Sequence, residues 1–243
     1  MKVSRLLRLY EAGNTDFNGS DLQGADLSRA ILIQINLDRA NSIGADLRRA
    51  FLTRASLREA RLNWADLSFV KLGDGDLCGC DLTKAKLIGA FMVKANLSDA
   101  KLSGANLEGA NLRGANLRGA NLCGANLAGT NLRGTDLRGA NFNWANLAEA
   151  KLSGARLDEA SFRHANLSGA YLNGTNLTKV NLERTDLSQA KLNGADLHGA
   201  DLSTANLSEA ALKGAILTEA QFDRVRWCVP LMSASMTMPR VVS

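Results

Sequence analysis

The sequence is short of most things that catalysis, secretion or membrane insertion require. Its 243 residues include two histidines, four cysteines, two prolines and only 5% aromatics. With His164 and His198 as the only imidazoles, and no HExxH or phosphate-loop motif, metal-dependent hydrolysis and nucleotide chemistry have no anchor. Cys78, Cys80, Cys123 and Cys228 show no paired spacing, so neither a disulfide framework nor a thiolate metal site is expected. Unpaired thiols suit a reducing compartment. No stretch approaches the ~20 apolar residues of a membrane-spanning helix. The leading segment MKVSRLLRLYEAG scatters charges through its apolar residues and is unlike a signal peptide. These absences predict a soluble, cytoplasmic, non-enzymatic protein without cofactor or metal.

What the chain has in abundance is one five-residue unit. Residues 105–139 read ANLEG ANLRG ANLRG ANLCG ANLAG TNLRG TDLRG. The same frame places a large apolar residue at every fifth position from Phe17 to Phe222, with Ser42 the one polar exception in 42 places. Ala stands two residues earlier in 31 of them. A period of five fits neither the 3.6 of a helix nor the 2 of a strand. It suits a chain that turns a corner in each unit, and 19 of the 22 glycines fall two residues after the leucine place, where a type II turn needs positive φ. The leucine and alanine places, Leu107, Leu112, Leu117, Leu122 and Leu127 among them, should form the core. Departures near residues 70–80 (Val70, Gly73, Gly75 and Cys80) predict a local irregularity.

Units such as Ala105–Gly109 and Ala195–Gly199 carry the A(D/N)LXX pattern, and the chain resembles the pentapeptide-repeat proteins along about 210 residues. The leader Leu6, Leu7, Tyr10, Ala12, Gly13, Asp16 and Phe17 is similar to that of cytoplasmic cyanobacterial members. The resemblance implies an all-β, right-handed quadrilateral β-helix with four units per coil. Forty-two units then make about ten coils, a rod on the order of 50 Å long at ~4.8 Å per strand. Residues 1–14 are expected to form a capping helix, started by Ser4 and stopped by Gly13, across the first coil. Residues 15–227 form the solenoid. Residues 228–243 are expected to be a lid, from Trp227 to Met232, followed by a mobile tail, with Pro230 halting strand pairing.

Four units per coil sort the outward residues onto four sides. The side of Leu32, Leu52 and Leu72 carries Arg54, Lys71, Lys94, Arg113, Arg133, Lys151, Lys191 and Lys213 against Asp74 alone, a net of +7. The other sides sum to −4, −2 and +1, so the overall +5 conceals one basic side. Phe51, Phe91 and Tyr171 lie on it, with Ile31, Ile33 and Val93. Cations beside outward apolar residues are the composition of a recognition surface. A second candidate is the pair Trp64 and Trp144, four coils apart at one corner with Lys84, Gly104 and Gly124 between. Each Trp either anchors a partner or folds flat over the neighbouring corner.

These features favour an interaction or regulatory scaffold, a monomer or weak dimer, that binds a protein with an acidic surface through the basic side. A second reading is non-specific binding of nucleic acid or another anionic surface by the same side. Some family members mimic duplex DNA and shield type II topoisomerases. A positive net charge and a basic dominant side argue against that role here.

Overall fold

A chain that buries a leucine every five residues has to bend once per unit, and the bend proves uniform. The computed structural model describes residues 1–227. Each corner begins at a leucine-place carbonyl, which accepts the N–H three residues on, as in Ala25 N–H to Leu22 O at 3.0 Å. From residue 15 to 227 positive φ occurs only at the third corner residue, which among the standard turns defines type II. Glycine fills 19 of these positions. The other 23 hold side chains at φ between +52° and +61°. A left-handed residue with a Cβ costs about 1–2 kcal/mol, so glycine marks the corner without being required there.

Between corners, the residue before each leucine bridges in parallel to the residue twenty further on, from Asp16↔Asn36 to Asn206↔Arg226. The ladders through residues 16, 21, 26 and 31 run side by side, and the chain forms a β-helix with a twenty-residue repeat. The expected irregularity near 70–80 does not occur: Ser56↔Asp76, Lys71↔Phe91 and Asp76↔Asn96 all hold register. Among the described residues the one omitted bridge is Arg156↔Asn176. It lies beside Thr175, whose buried hydroxyl has no partner. The inward Thr130 and Thr185 instead donate to the carbonyls of Leu107 and Phe162.

The backbone donors of a unit can be followed one by one. The leucine and corner N–H groups bond to carbonyls of the next turn, as in Leu22 to Asn41 O and Gly24 to Ile43 O. The N–H before leucine bonds to the preceding turn, as in Asn41 to Ser20 O, and the alanine N–H closes the corner. The fifth, just after leucine, is capped by the Asp or Asn two residues earlier, as in Ser28 N–H to Asp26 Oδ1 at 3.0 Å and Ala128 N–H to Asn126 Oδ1 at 3.2 Å. That is the reason for Asp and Asn at this place, since a buried unpaired donor is costly. The asparagines also stack: Asn126 Nδ2 donates to Asn106 Oδ1, and Asn146 and Asn166 continue the ladder.

Inside, Leu107, Leu112, Leu117, Leu122 and Leu127 are completely buried, and Ser42 is buried in a leucine place. Cys80 lies in the core, where burial pushes its thiol pKa up. Helix α1 (Val3–Glu11) lies at the N-terminal end. Lys2, not Ser4, is its N-cap, without a side-chain hydrogen bond. Gly13, at φ +93°, ends it, with Asn14 N–H on Leu9 O and Gly13 N–H on Tyr10 O, a Schellman arrangement. Leu6 is fully buried against the core. The Tyr10 hydroxyl donates to Ile33 O at 2.9 Å and the terminal ammonium to Asp21 O. These carbonyls belong to the first turn, which has no turn before it to supply a donor.

The Arg48 and Arg138 side chains, hydrogen-bonded to Asp46 and Asp136, hold those carboxyls below the ordinary carboxylate range. A folded-state pKa depressed in this way adds stability above the unfolded value and loses it as pH falls through the folded one. The melting temperature should therefore drop below about pH 4. Asp136→Asn keeps the Oδ1 acceptor for the Arg138 N–H but loses the ion pair at 2.6 Å. Its melting temperature should vary less over the same acid range; an unchanged acid slope would assign the loss to other groups.

Candidate interaction surface

One ladder departs from the Asp/Asn rule. Through residues 31 to 211 it reads Ile31, Phe51, Lys71, Phe91, Asn111, Asn131, Lys151, Tyr171, Lys191 and Ala211, so two of ten places hold Asx. The ladder from Asp26 to Arg226 has nine of eleven. At the exceptions the cap from the residue two before is given up, a hydrogen bond worth roughly 1 kcal/mol, and only after Ala211 is it replaced, by Asn193 Oδ1 accepting from Lys213 N–H at 3.0 Å. Phe51, Phe91 and Tyr171 are exposed instead of being spent on the backbone. Local stability does not account for this choice of residues.

The structure brings the expected cations to this ladder. Lys71, Lys151 and Lys191 lie on it, Arg113, Arg133 and Lys213 just after its leucines, and Arg54 and Lys94 at its trailing corner with positive φ. Among the described residues none of these eight forms an ion pair. On the other sides Arg39, Arg48, Arg58, Lys86, Arg138, Arg156, Arg163 and Arg184 do, while Arg61, Lys101, Arg118 and Lys179 among others do not. Exposed pairs of that kind add little stability; the basic side stands apart because it sets eight cations against one carboxylate, Asp74. The Lys71 ammonium sits 5.5 Å from the centre of the Phe91 ring. Phe91 in turn explains Gly73, which has no positive φ: a Cβ there would come 3.3 Å from the ring.

Sorting residues unit by unit missed the leading corner. Arg29, Arg49 and Phe69 stand two residues before Ile31, Phe51 and Lys71 and border the same ladder. Two shallow cavities meet there, about 480 Å³ lined by Ser28, Arg29, Arg48, Arg49, Ser68 and Phe69, and about 430 Å³ lined by Arg29, Arg49, Phe51, Phe69 and Lys71. The Arg49 guanidinium lies over the Phe69 ring at 5.8 Å. A corner side chain belongs to both sides it separates, a rule that would have found these residues from spacing alone.

Trp64 and Trp144 are 59% and 61% exposed, and each leans along the rod over the next corner. Trp144 stacks on His164 at 5.2 Å and 7°, and the Lys84 ammonium lies 5.8 Å from the Trp64 ring centre. Each ring thus has a neighbour on one side while the rest of it faces solvent. His198 approaches Thr218 and Glu219, remote from His164. Among the described residues no His, Cys, Asp or Glu group is placed to hold a metal ion, and no helix is long and apolar enough to cross a membrane. Trp227 is exposed and tilted against Phe222; the expected lid beyond it, and Cys228, lie outside the described residues.

A family model described as pentapeptide repeats matches the chain in eight copies, over residues 13–41, 35–74, 60–99, 100–139, 140–178, 170–208 and 181–218. The curated proteins provide no match. Among solved structures the chain is similar to HetL, a pentapeptide repeat protein involved in heterocyst differentiation regulation from the cyanobacterium Nostoc sp. strain PCC 7120. Identity is 36%, over 91% of this chain and 94% of that one, with a TM-score of 0.54. It is also similar to Rfr23, a pentapeptide repeat protein from the cyanobacterium Cyanothece 51142, at 27% identity over 64% of this chain and 93% of that one, TM-score 0.26. Full-length QnrB1, a plasmid-mediated fluoroquinolone resistance protein, matches at 14% identity over 88% and 93%, TM-score 0.33. With the repeat model running from residue 13 to 218 and HetL aligned along most of both chains, this protein belongs to the pentapeptide-repeat family.

Proposed function

We propose that the protein is a non-enzymatic regulatory scaffold, a right-handed quadrilateral β-helix of about ten coils that binds an acidic partner protein along its basic side. One observation carries this reading: eight cations, without ion pairs among the described residues, lie on or beside a ladder on which Phe51, Lys71, Phe91, Lys151, Tyr171 and Lys191 replace the backbone-capping Asx. Aligned cations repel one another, and an acidic counter-surface relieves that repulsion. Among the described residues the filled leucine core leaves no enclosed, water-free site for chemistry. The involvement of HetL in heterocyst differentiation regulation is consistent with a platform of this kind. Free thiols at Cys78, Cys80 and Cys123 fit a cytoplasmic location. Helix α1 serves as the N-terminal cap and the working unit is a monomer or weak dimer.

The test is capture from a lysate of the source organism by wild type and by R113E/R133E/K151E/K191E. A protein held by wild type should bind the variant on the order of a hundredfold more weakly, since each reversal removes an attraction and adds a repulsion. Equal capture by both would remove the basic side as the site and make the Trp64–Trp144 corner the next target. Capture of nucleic acid alone, released by modest salt, would favour the second reading.

A further inference from the structure

We propose that the leading corner of the basic side is a preformed subsite for an acidic peptide segment carrying apolar side chains, presented by the partner. This deepens the reading above and rests on it. The subsite consists of Arg29, Arg49, Phe51, Phe69, Lys71 and Phe91, around the two adjoining cavities. Its three cations form no ion pair among the described residues, whereas Arg48 beside them is committed to Asp46 at 2.5 Å. Free guanidinium groups therefore line a concave surface next to apolar rings, the chemistry that suits carboxylates alternating with apolar residues along an extended strand.

The subsite is also held in place. Phe69 lies against Gly89, where a Cβ would be 2.6 Å from the ring, and Phe91 lies against Gly73. Arg49 is supported by the Phe69 ring and Lys71 by Phe91. Cations already fixed over rings lose less freedom on meeting a carboxylate than mobile ones do. The same contacts speak against single-stranded nucleic acid. Phe69 and Phe91 each have a cation over one face and a glycine backbone beside them, which leaves little room for a base to stack there. The departures from the repeat consensus at Phe69, Lys71, Gly73 and Phe91 thus serve one surface feature.

The probe is a fluorescein-labelled peptide of about eight residues alternating glutamate and phenylalanine, long enough to span the roughly 15 Å from Arg29 to Gly89. Its glutamine analogue and a single-stranded oligo(dT) are the comparison probes. Fluorescence anisotropy against the full chain should show binding of the glutamate peptide, weakened on the order of tenfold by R29Q/R49Q/K71Q. Removing the same number of cations from other sides, as R61Q/K101Q/R118Q, should change it less than about twofold. F69A, which keeps every cation, should weaken it about threefold through loss of the Arg49 support. No binding of the glutamate peptide, tighter binding of its glutamine analogue or of oligo(dT), or equal loss in the two triple variants would overturn the subsite. A greater loss in R113Q/R133Q/K191Q than in R29Q/R49Q/K71Q would overturn it while leaving the basic side in place as the binding surface.

Discussion

Replacing Phe162 with alanine should lower the unfolding free energy by about 3–5 kcal/mol. Phe142 and Phe162 occupy leucine places one turn apart, both buried, with ring centroids 4.8 Å apart and planes within 3°. The twenty-residue register forces this stacking, because identical side chains one turn apart repeat at the ladder spacing. Truncation leaves a cavity that neighbouring turns close poorly, since Phe162 and His164 N–H are tied to Asn181 O and Glu183 O of the next turn and Ser161 and Asn166 N–H to Ala140 O and Ala145 O of the turn before. Phe162→Leu should cost much less, because leucine is the usual occupant. Combining it with Phe142→Leu should cost less than the two singles together, by about 0.5–1.5 kcal/mol, the worth of the lost ring pair. Denaturant melts of the four leucine-cycle proteins and of Phe162→Ala measure both quantities. A cost below about 1 kcal/mol for Phe162→Ala would mean that the coils repack freely, against a close-packed core.

The fold could be read from the sequence because one small pattern sets every part of it. Leu at one place, Ala two before it and a turn-forming residue two after fix the inward faces, the corner and the period together. The bridges then followed with almost no exceptions. What composition concealed was side-chain hydrogen bonding. The Asp/Asn place looked merely outward, and only the bond from the N–H after leucine to Oδ1 shows that these residues complete the backbone. That bond gives the basic ladder its meaning, because Phe51, Lys71 and Phe91 can be recognised as departures only once the rule is known. The irregularity was misplaced for a similar reason. Gly73 and Gly75 suggested disruption, yet backbone register tolerates glycine, whereas the unpartnered hydroxyl of Thr175 beside Asn176 marks where the ladder opens. The basic side itself was legible because charge sorts by position modulo twenty. The Arg29–Arg49–Phe69 corner was not, because assigning each unit to a single side cuts through the edge that two sides share.

Leu6→Asp should undo the N-terminal end of the solenoid while leaving its middle intact. Leu6 of α1 is fully buried in the core, and Val3, Leu7, Leu9 and Tyr10 pack against that core beside it in sequence. A carboxylate there must be desolvated without a partner or drag the helix off, and undocking costs less than burying the charge. Departure of α1 uncovers Phe17, Leu22 and Leu27. It also removes the Tyr10 hydroxyl from Ile33 O and the terminal ammonium from Asp21 O. The first turn then presents unpaired carbonyls beside exposed leucines, an edge that invites association with another chain. Because each turn contacts mainly its neighbours, the damage should spread only a turn or two. Hydrogen exchange should show amides of residues 17–37 losing protection by a factor of about a hundred or more, while those of residues 105–139 keep theirs. Light scattering should show concentration-dependent association, and Leu6→Met should restore the wild-type state on both counts. Uniform loss of protection along the rod would instead mean that the helix sets the stability of the whole stack. An unchanged first turn would mean that α1 is dispensable to it.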